Sequence, residues 1–155
     1  MTLFLLVKWL HVLSSTLLFG TGLGSAFLMY LANRRKDLAG MVFAARHVVI
    51  ADWCFTAPSV AFQLLSGLTL VHLGGYRLGE HWISWALGLY AFAGLCWLPV
   101  VWLQIRMRDM AADSLLTKHA LPERFWIFER WWCLLGALAF PAVTLVFWLM
   151  IVKPD

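Results

Sequence analysis

Two ionisable side chains, Lys8 and His11, stand inside a run of residues otherwise apolar enough to cross a bilayer. Charged or titratable groups are costly in hydrocarbon unless they have a partner or a task. Small residues follow them: Ser14, Ser15, Gly20, Gly22, Gly24 and Ser25. On a helix turning about 100° per residue, Lys8, His11, Ser15, Gly22 and Ser25 share one side. The histidine then looks out over a low, smooth face with room for a flat cofactor. A second explanation uses the same residues differently. The run Gly20-Thr21-Gly22-Leu23-Gly24 matches G-x-x-x-G, so the small residues could admit a neighbouring helix while His11 hydrogen-bonds across the contact. Residue types alone leave both explanations open.

Other polar residues carry weaker signals. His72 and His81 flank the turn Gly74-Gly75-Tyr76-Arg77-Leu78-Gly79, and two histidines at a membrane surface can bind a metal or cap a haem edge, although this spacing matches no compact ligand motif. His47 is expected to be a hydrated interfacial side chain. Asp52 lies six residues after Arg46, too far to stack on it along a helix, so its expected partner is an arginine of another helix end, Arg130 or Arg106. Cys54, Cys96 and Cys133 show no C-x-x-C spacing and are read as small apolar packing residues rather than as a disulfide framework or zinc site.

The elements that must position these groups are membrane helices. Of 155 residues, 63% are hydrophobic and 13% charged, with ten Trp, far from the usage of a soluble domain. Uncharged runs at 9–32, 53–76, 82–105 and 131–152 are each long enough to cross about 30 Å of hydrocarbon at 1.5 Å per residue. The expected fold is all-α, one four-helix transmembrane domain over 1–155, with helices at about 3–32, 38–73, 82–105 and 124–152. Residues 38–52 read as an amphipathic lead-in, with Met41, Val42, Ala45, Val48 and Val49 at helical spacing, and Pro58 should bend the second helix near Cys54. Residues 106–123 read as a charged connection, with Pro122 opening the last helix. The first run has no charged leader and no small-residue cleavage site, and is expected to remain in the mature chain.

Nine of the twelve Lys and Arg fall between the first and second or the third and fourth uncharged runs. Positive charge concentrates on the cytoplasmic side, so both termini and the 74–81 turn are expected on the opposite face, the periplasm if the membrane is a bacterial inner membrane. The net charge of +4 therefore reports orientation in the lipid bilayer, and nothing calls for nucleic acid.

Four short stretches together resemble a known group: Lys8-Trp9-Leu10-His11, Thr56-Ala57-Pro58 with Gly67-Leu68, Arg130-Trp131, and Ile151-Val152-Lys153-Pro154. They are similar to the HemJ-type protoporphyrinogen oxidase family and its relatives. The oxidases place a lysine and a histidine on the third helix, where this chain has neither, and an Asn-Glu pair where this chain has Trp132-Cys133-Leu134. The resemblance thus points to a sister family rather than to the oxidase itself. It implies a four-helix bundle that binds haem b with His11 as an axial ligand, acts on or near tetrapyrroles, and passes electrons to a respiratory-chain acceptor. In that setting Lys8 is available to a propionate or a porphyrin carboxylate, Ser15 and Gly22 line the cofactor face, and His72 becomes a second iron ligand if helix tilt brings it inward. Otherwise the iron has His11 alone and an open position. Gln63, Tyr90 and Thr144 are expected near the depth of His11. The competing expectation is a non-enzymatic accessory subunit, or a homo-oligomer, packing through Gly20 and Gly24.

Overall fold

The computed structural model describes residues 2–154. Helix α1 spans Leu3–Arg35, α2 Leu38–Ala51, α3 Ala57–Leu73, α4 His81–Thr117 and α5 Glu123–Val152, and a π-helical turn, Asp52–Thr56, joins α2 to α3. Taken as one unit, Leu38–Leu73 joins α1, α4 and α5 to give four helices long and apolar enough to cross a membrane. No strand occurs among the described residues.

The helix ends follow local chemistry. Thr2 caps α1 by accepting from Leu5 N, and Asp37 caps α2 by accepting from the amides of Ala39 and Gly40. Helices α1, α4 and α5 each stop on a lysine in the left-handed conformation, Lys36, Lys118 and Lys153. A cation there faces the negative end of the helix dipole. In the turn after α3, Gly75 takes φ +70°, and a Cβ on Gly74 would sit 2.7 Å from the Tyr76 ring, so both positions exclude a side chain.

Proline 58 explains the π-helical turn. Lacking an N–H, it cannot bond the carbonyl one turn earlier, and the chain widens so that Ala57 N instead reaches Asp52 O. The expected bend is thus realised as a bulge, which turns both Asp52 and Thr56 into the bundle.

The four spans group as two pairs, α1 with α3 and α4 with α5, and α2 packs on both α1 and α4 to tie the pairs at the basic end. The main core sits there: Met29, Met41, Val42, Ala45, Val48, Leu103, Met107, Ala111, Phe125 and Trp132. The face expected to be buried on α2 is the face that is buried. Helix α4 differs from expectation. It runs on through 106–117, read above as a connection, because Leu103, Met107, Ala111 and Ser114 recur at helical spacing and are all buried, giving this charged stretch an apolar stripe. Away from the basic end the pairs touch lightly, through Phe19 against Phe140 and Phe147 and through Tyr90 Oη donating to Val60 O at 2.6 Å. At the end carrying the termini, Lys153 Nζ donates to Tyr76 Oη at 2.7 Å and lies over the Tyr76 and Trp82 rings.

The G-x-x-x-G face is not a packing surface within this fold. A Cβ at Gly20 or Gly24 would meet no atom within 4 Å, and both glycines are exposed. Gly22, between them, points inward, where its Cβ position lies 3.7 Å from the Phe140 ring.

Candidate functional site

Helix α3 buries three polar side chains, Ser59, Gln63 and Ser66, and two of them converge on one residue of α1. Ser66 Oγ lies 2.7 Å from His11 Nδ1, and Gln63 Nε2 donates to the His11 carbonyl at 2.9 Å. Ser66 also donates to Phe62 O at 2.6 Å, which leaves its oxygen lone pairs to accept from the imidazole N–H. In that arrangement Nδ1 carries the proton and Nε2 is a free lone pair. The ring lies close over Gly67, whose Cβ position would be 3.4 Å from His11 Cε1. An alanine at 67 would just touch the ring, and a longer side chain would push it off its seat on α3.

Other expected site residues fall in different places. Lys8 is exposed one turn before His11, and Ser15, half-buried, donates to Val12 O on its own helix. Gly22 and Ser25 line a cavity between the helix pairs, further along the same face of α1. His72 is exposed in the last turn of α3, six residues beyond Ser66 or about 9 Å along the axis, and makes no bond to His11. Gln63 is at the level of His11, as expected, and Thr144 is exposed and bonds its own helix at Phe140 O. His47 is exposed, bonds Phe43 O and stacks on the Phe43 ring. Among the described residues no cluster of three or more His, Cys, Asp or Glu could hold a metal ion. The three cysteines are free.

A cavity of about 340 Å³, partly enclosed, lies between the two helix pairs and takes walls from all four spans. Its lining is apolar and rich in aromatic rings, including Phe19, Tyr30, Tyr90, Trp97, Trp132 and Phe140. One buried carboxylate breaks this lining. Asp52, 4% exposed, accepts from Thr56 Oγ1 at 2.9 Å. With the Gln104 amide nitrogen facing it, Asp52 Oδ2 accepts at 2.6 Å while the amide oxygen accepts from Trp132 Nε1 at 3.3 Å.

The arginine expected to pair with Asp52 does not do so. The one ion pair among the described residues is Arg108–Asp109, and arginines near the basic end lie over rings instead, Arg34 on Tyr30, Arg106 on Trp102 and Arg124 on Phe128. Guanidinium groups on long stems reach the interface, where water and π faces hold them, and the buried acid is left to neutral donors. Thr56 and Gln104 are site residues that sequence spacing did not single out. The signal for Thr56 was its place four residues after Asp52, which puts both on one helical face; Gln104 carried none, because its partner is on another helix.

No curated protein and no solved structure matches the chain. Residues 5–154 match the sequence profile of a family described as a predicted integral membrane protein, DUF2269, and the chain belongs to that family.

Proposed function

We propose that this multi-pass membrane protein binds haem b through His11 and serves a redox role linked to tetrapyrrole metabolism or membrane electron transfer. The observation that carries the reading is the pair of α3 side chains committed to residue 11. Ser66 fixes the ring through Nδ1, Gln63 fixes the backbone beneath it, and Nε2, the nitrogen suited to an axial bond, makes no hydrogen bond among the described residues. The residues therefore fit an axial ligand with its outer partner in place. Bound haem would supply one-electron chemistry. Lys8, one turn away and exposed, would offer an ammonium to a propionate or to the carboxylate of a porphyrin substrate, and Ser15 keeps the neighbouring face low, whereas Gly22 faces Phe140 and the cavity between the helix pairs. The resemblance to HemJ-type proteins in the Lys8–His11 stretch supports the same reading. So does Gly67, which leaves the ring its place on α3. The positive-inside rule supports placing both termini in the periplasm of a bacterial inner membrane. A respiratory-chain carrier is the electron partner of this reading.

An optical spectrum of the detergent-purified protein, expressed with ample haem supply, tests it. Wild type should show a Soret band, His11→Ala should lose it, and His47→Ala and His81→Ala should keep it. His72→Ala tests the second ligand: a low-spin to high-spin change with haem retained assigns His72, and a spectrum that is high-spin in both wild type and variant assigns a five-coordinate iron. Wild-type protein with no Soret absorbance refutes the proposal.

A further inference from the structure

The haem reading makes no use of Asp52. Its side chain is buried in the membrane-spanning part of the bundle, and all its hydrogen-bond partners are donors: the Thr56 hydroxyl on one oxygen and the Gln104 amide on the other. Trp132 Nε1 holds the Gln104 oxygen, so the amide presents its nitrogen to the acid. A hydrogen bond donated to each oxygen matches the acceptor-only character of a carboxylate. No Lys, Arg or His lies within 4 Å of it among the described residues. A buried anion without a counter-cation is costly, and pairing offsets that cost. A cation from outside the chain would supply the compensating charge.

The cavity around Asp52 shows what kind of cation fits. A hydrated metal ion would find one carboxylate and a wall of hydrocarbon, whereas hard cations take six or more oxygen ligands. Aromatic faces favour a different guest. Tyr30, Tyr90, Trp97 and Trp132 line the same cavity as the carboxylate, aromatic rings together with an anion being the combination that attracts alkylated ammonium groups, and Phe19 and Phe140 extend the apolar wall. A volume of about 340 Å³ lies within the range of small-molecule sites, and the light contact between the helix pairs leaves a way in from the bilayer.

We infer that the cavity between the two helix pairs is a binding site for a lipophilic organic cation, an alkylated ammonium carrying an apolar or aromatic body, with Asp52 as its counter-ion. Thr56 and Gln104 hold the carboxylate in position. The guest's charge lies at the Asp52 end, and its apolar body lies along Leu18, Phe19 and Phe140 toward the middle of the membrane. This site is separate from His11, which does not line the cavity.

Isothermal titration of the detergent-purified full chain with benzyltriethylammonium tests the inference, with the isosteric neutral benzyltriethylsilane as competitor. The cation should bind, and the silane should compete at least ~10-fold more weakly, the difference being the charge alone. Asp52→Asn should lose at least ~10-fold in cation affinity while melting as wild type, and Asp52→Glu should recover part of it. Glu129→Gln, whose carboxyl is buried outside the cavity lining, should bind as wild type. Equal binding of cation and silane, or wild-type affinity in Asp52→Asn, would identify a site for neutral lipid and overturn the inference. Absence of cation binding to folded wild-type protein overturns it as well.

Discussion

Replacing Ser66 by Ala isolates the contact on which the His11 reading turns. The wild-type Oγ lies 2.7 Å from His11 Nδ1 and donates to Phe62 O on its own helix. The second bond is local, and its loss frees a carbonyl that already serves the helix. The first crosses between α1 and α3, and without it a part-buried imidazole N–H has no partner. Interhelical hydrogen bonds in membrane proteins average about 0.6 kcal/mol and reach about 1.7. A short bond whose remaining partner is stranded belongs toward the upper end, so Ser66→Ala should cost about 1–2 kcal/mol. Thr69→Ala is the matched control, since Thr69 is exposed and bonds only Leu65 O one turn back; it should cost close to nothing. Unfolding in mixed micelles with increasing SDS reads both values. A second readout separates orientation from mere glue. Ligand-orienting partners change metal affinity by about 10–100-fold when removed, so haem should leave Ser66→Ala that much more readily, and Ser66→Thr should restore retention. Equal stability of the Ser66→Ala and Thr69→Ala proteins, or equal haem retention in Ser66→Ala and wild type, would refute the role assigned to this hydroxyl.

Other consequences are open to direct measurement. Gly20→Leu and Gly24→Leu should leave the melting temperature of the detergent-solubilised monomer unchanged, because neither position meets a neighbour in the fold; a large drop would place a helix there. Met107→Ala, fully buried in the basic-end core, should cost about 2–5 kcal/mol, whereas Leu116→Ala, 82% exposed, should stay within about 0.5 kcal/mol. Lys153→Met removes both a hydrogen bond to Tyr76 and the charge over two rings, and should speed proteolysis of the chain's last turn without altering the basic-end core. Alkaline phosphatase fused to the C-terminus should be active and a fusion in the 118–122 turn inactive; the reverse pattern inverts the orientation.

Much of this architecture is legible in the sequence because the bilayer asks for long apolar helices and the Lys and Arg mark their ends. The buried face of α2 is equally plain from Met41, Val42, Ala45, Val48 and Val49. What spacing could not supply is partner choice between helices. Asp52 reads as half of an ion pair because arginines are near in depth, yet aromatic rings compete for those arginines and a glutamine from α4 takes the acid. The 106–117 stretch reads as a loop because charge masks a four-residue stripe that matters only once α2 is present to cover it. The orientation of Gly20 and Gly24 is undecidable from a motif, since small residues serve a helix neighbour, a ring or open lipid alike. His11 was visible as an anomaly, but its dependence on Ser66 and Gln63 required knowing which face of α3 turns toward α1.

The π-helical turn at Asp52–Thr56 has an implication for how this chain tolerates change. An α-helical turn closes over four residues and this one over five, so the extra residue rotates everything after it by about 100° relative to an unbroken helix. Residues before the turn pack against both α1 and α4, and residues after it pack mainly against α1. The turn sets the angle between a segment shared by α1 and α4 and a segment laid on α1. Deleting a single lipid-facing residue within it, such as Phe55, would remove no buried contact, yet it would swing Ser59, Gln63 and Ser66 away from α1 as a set. In this protein one residue of length in the membrane is therefore worth more than most changes of residue type.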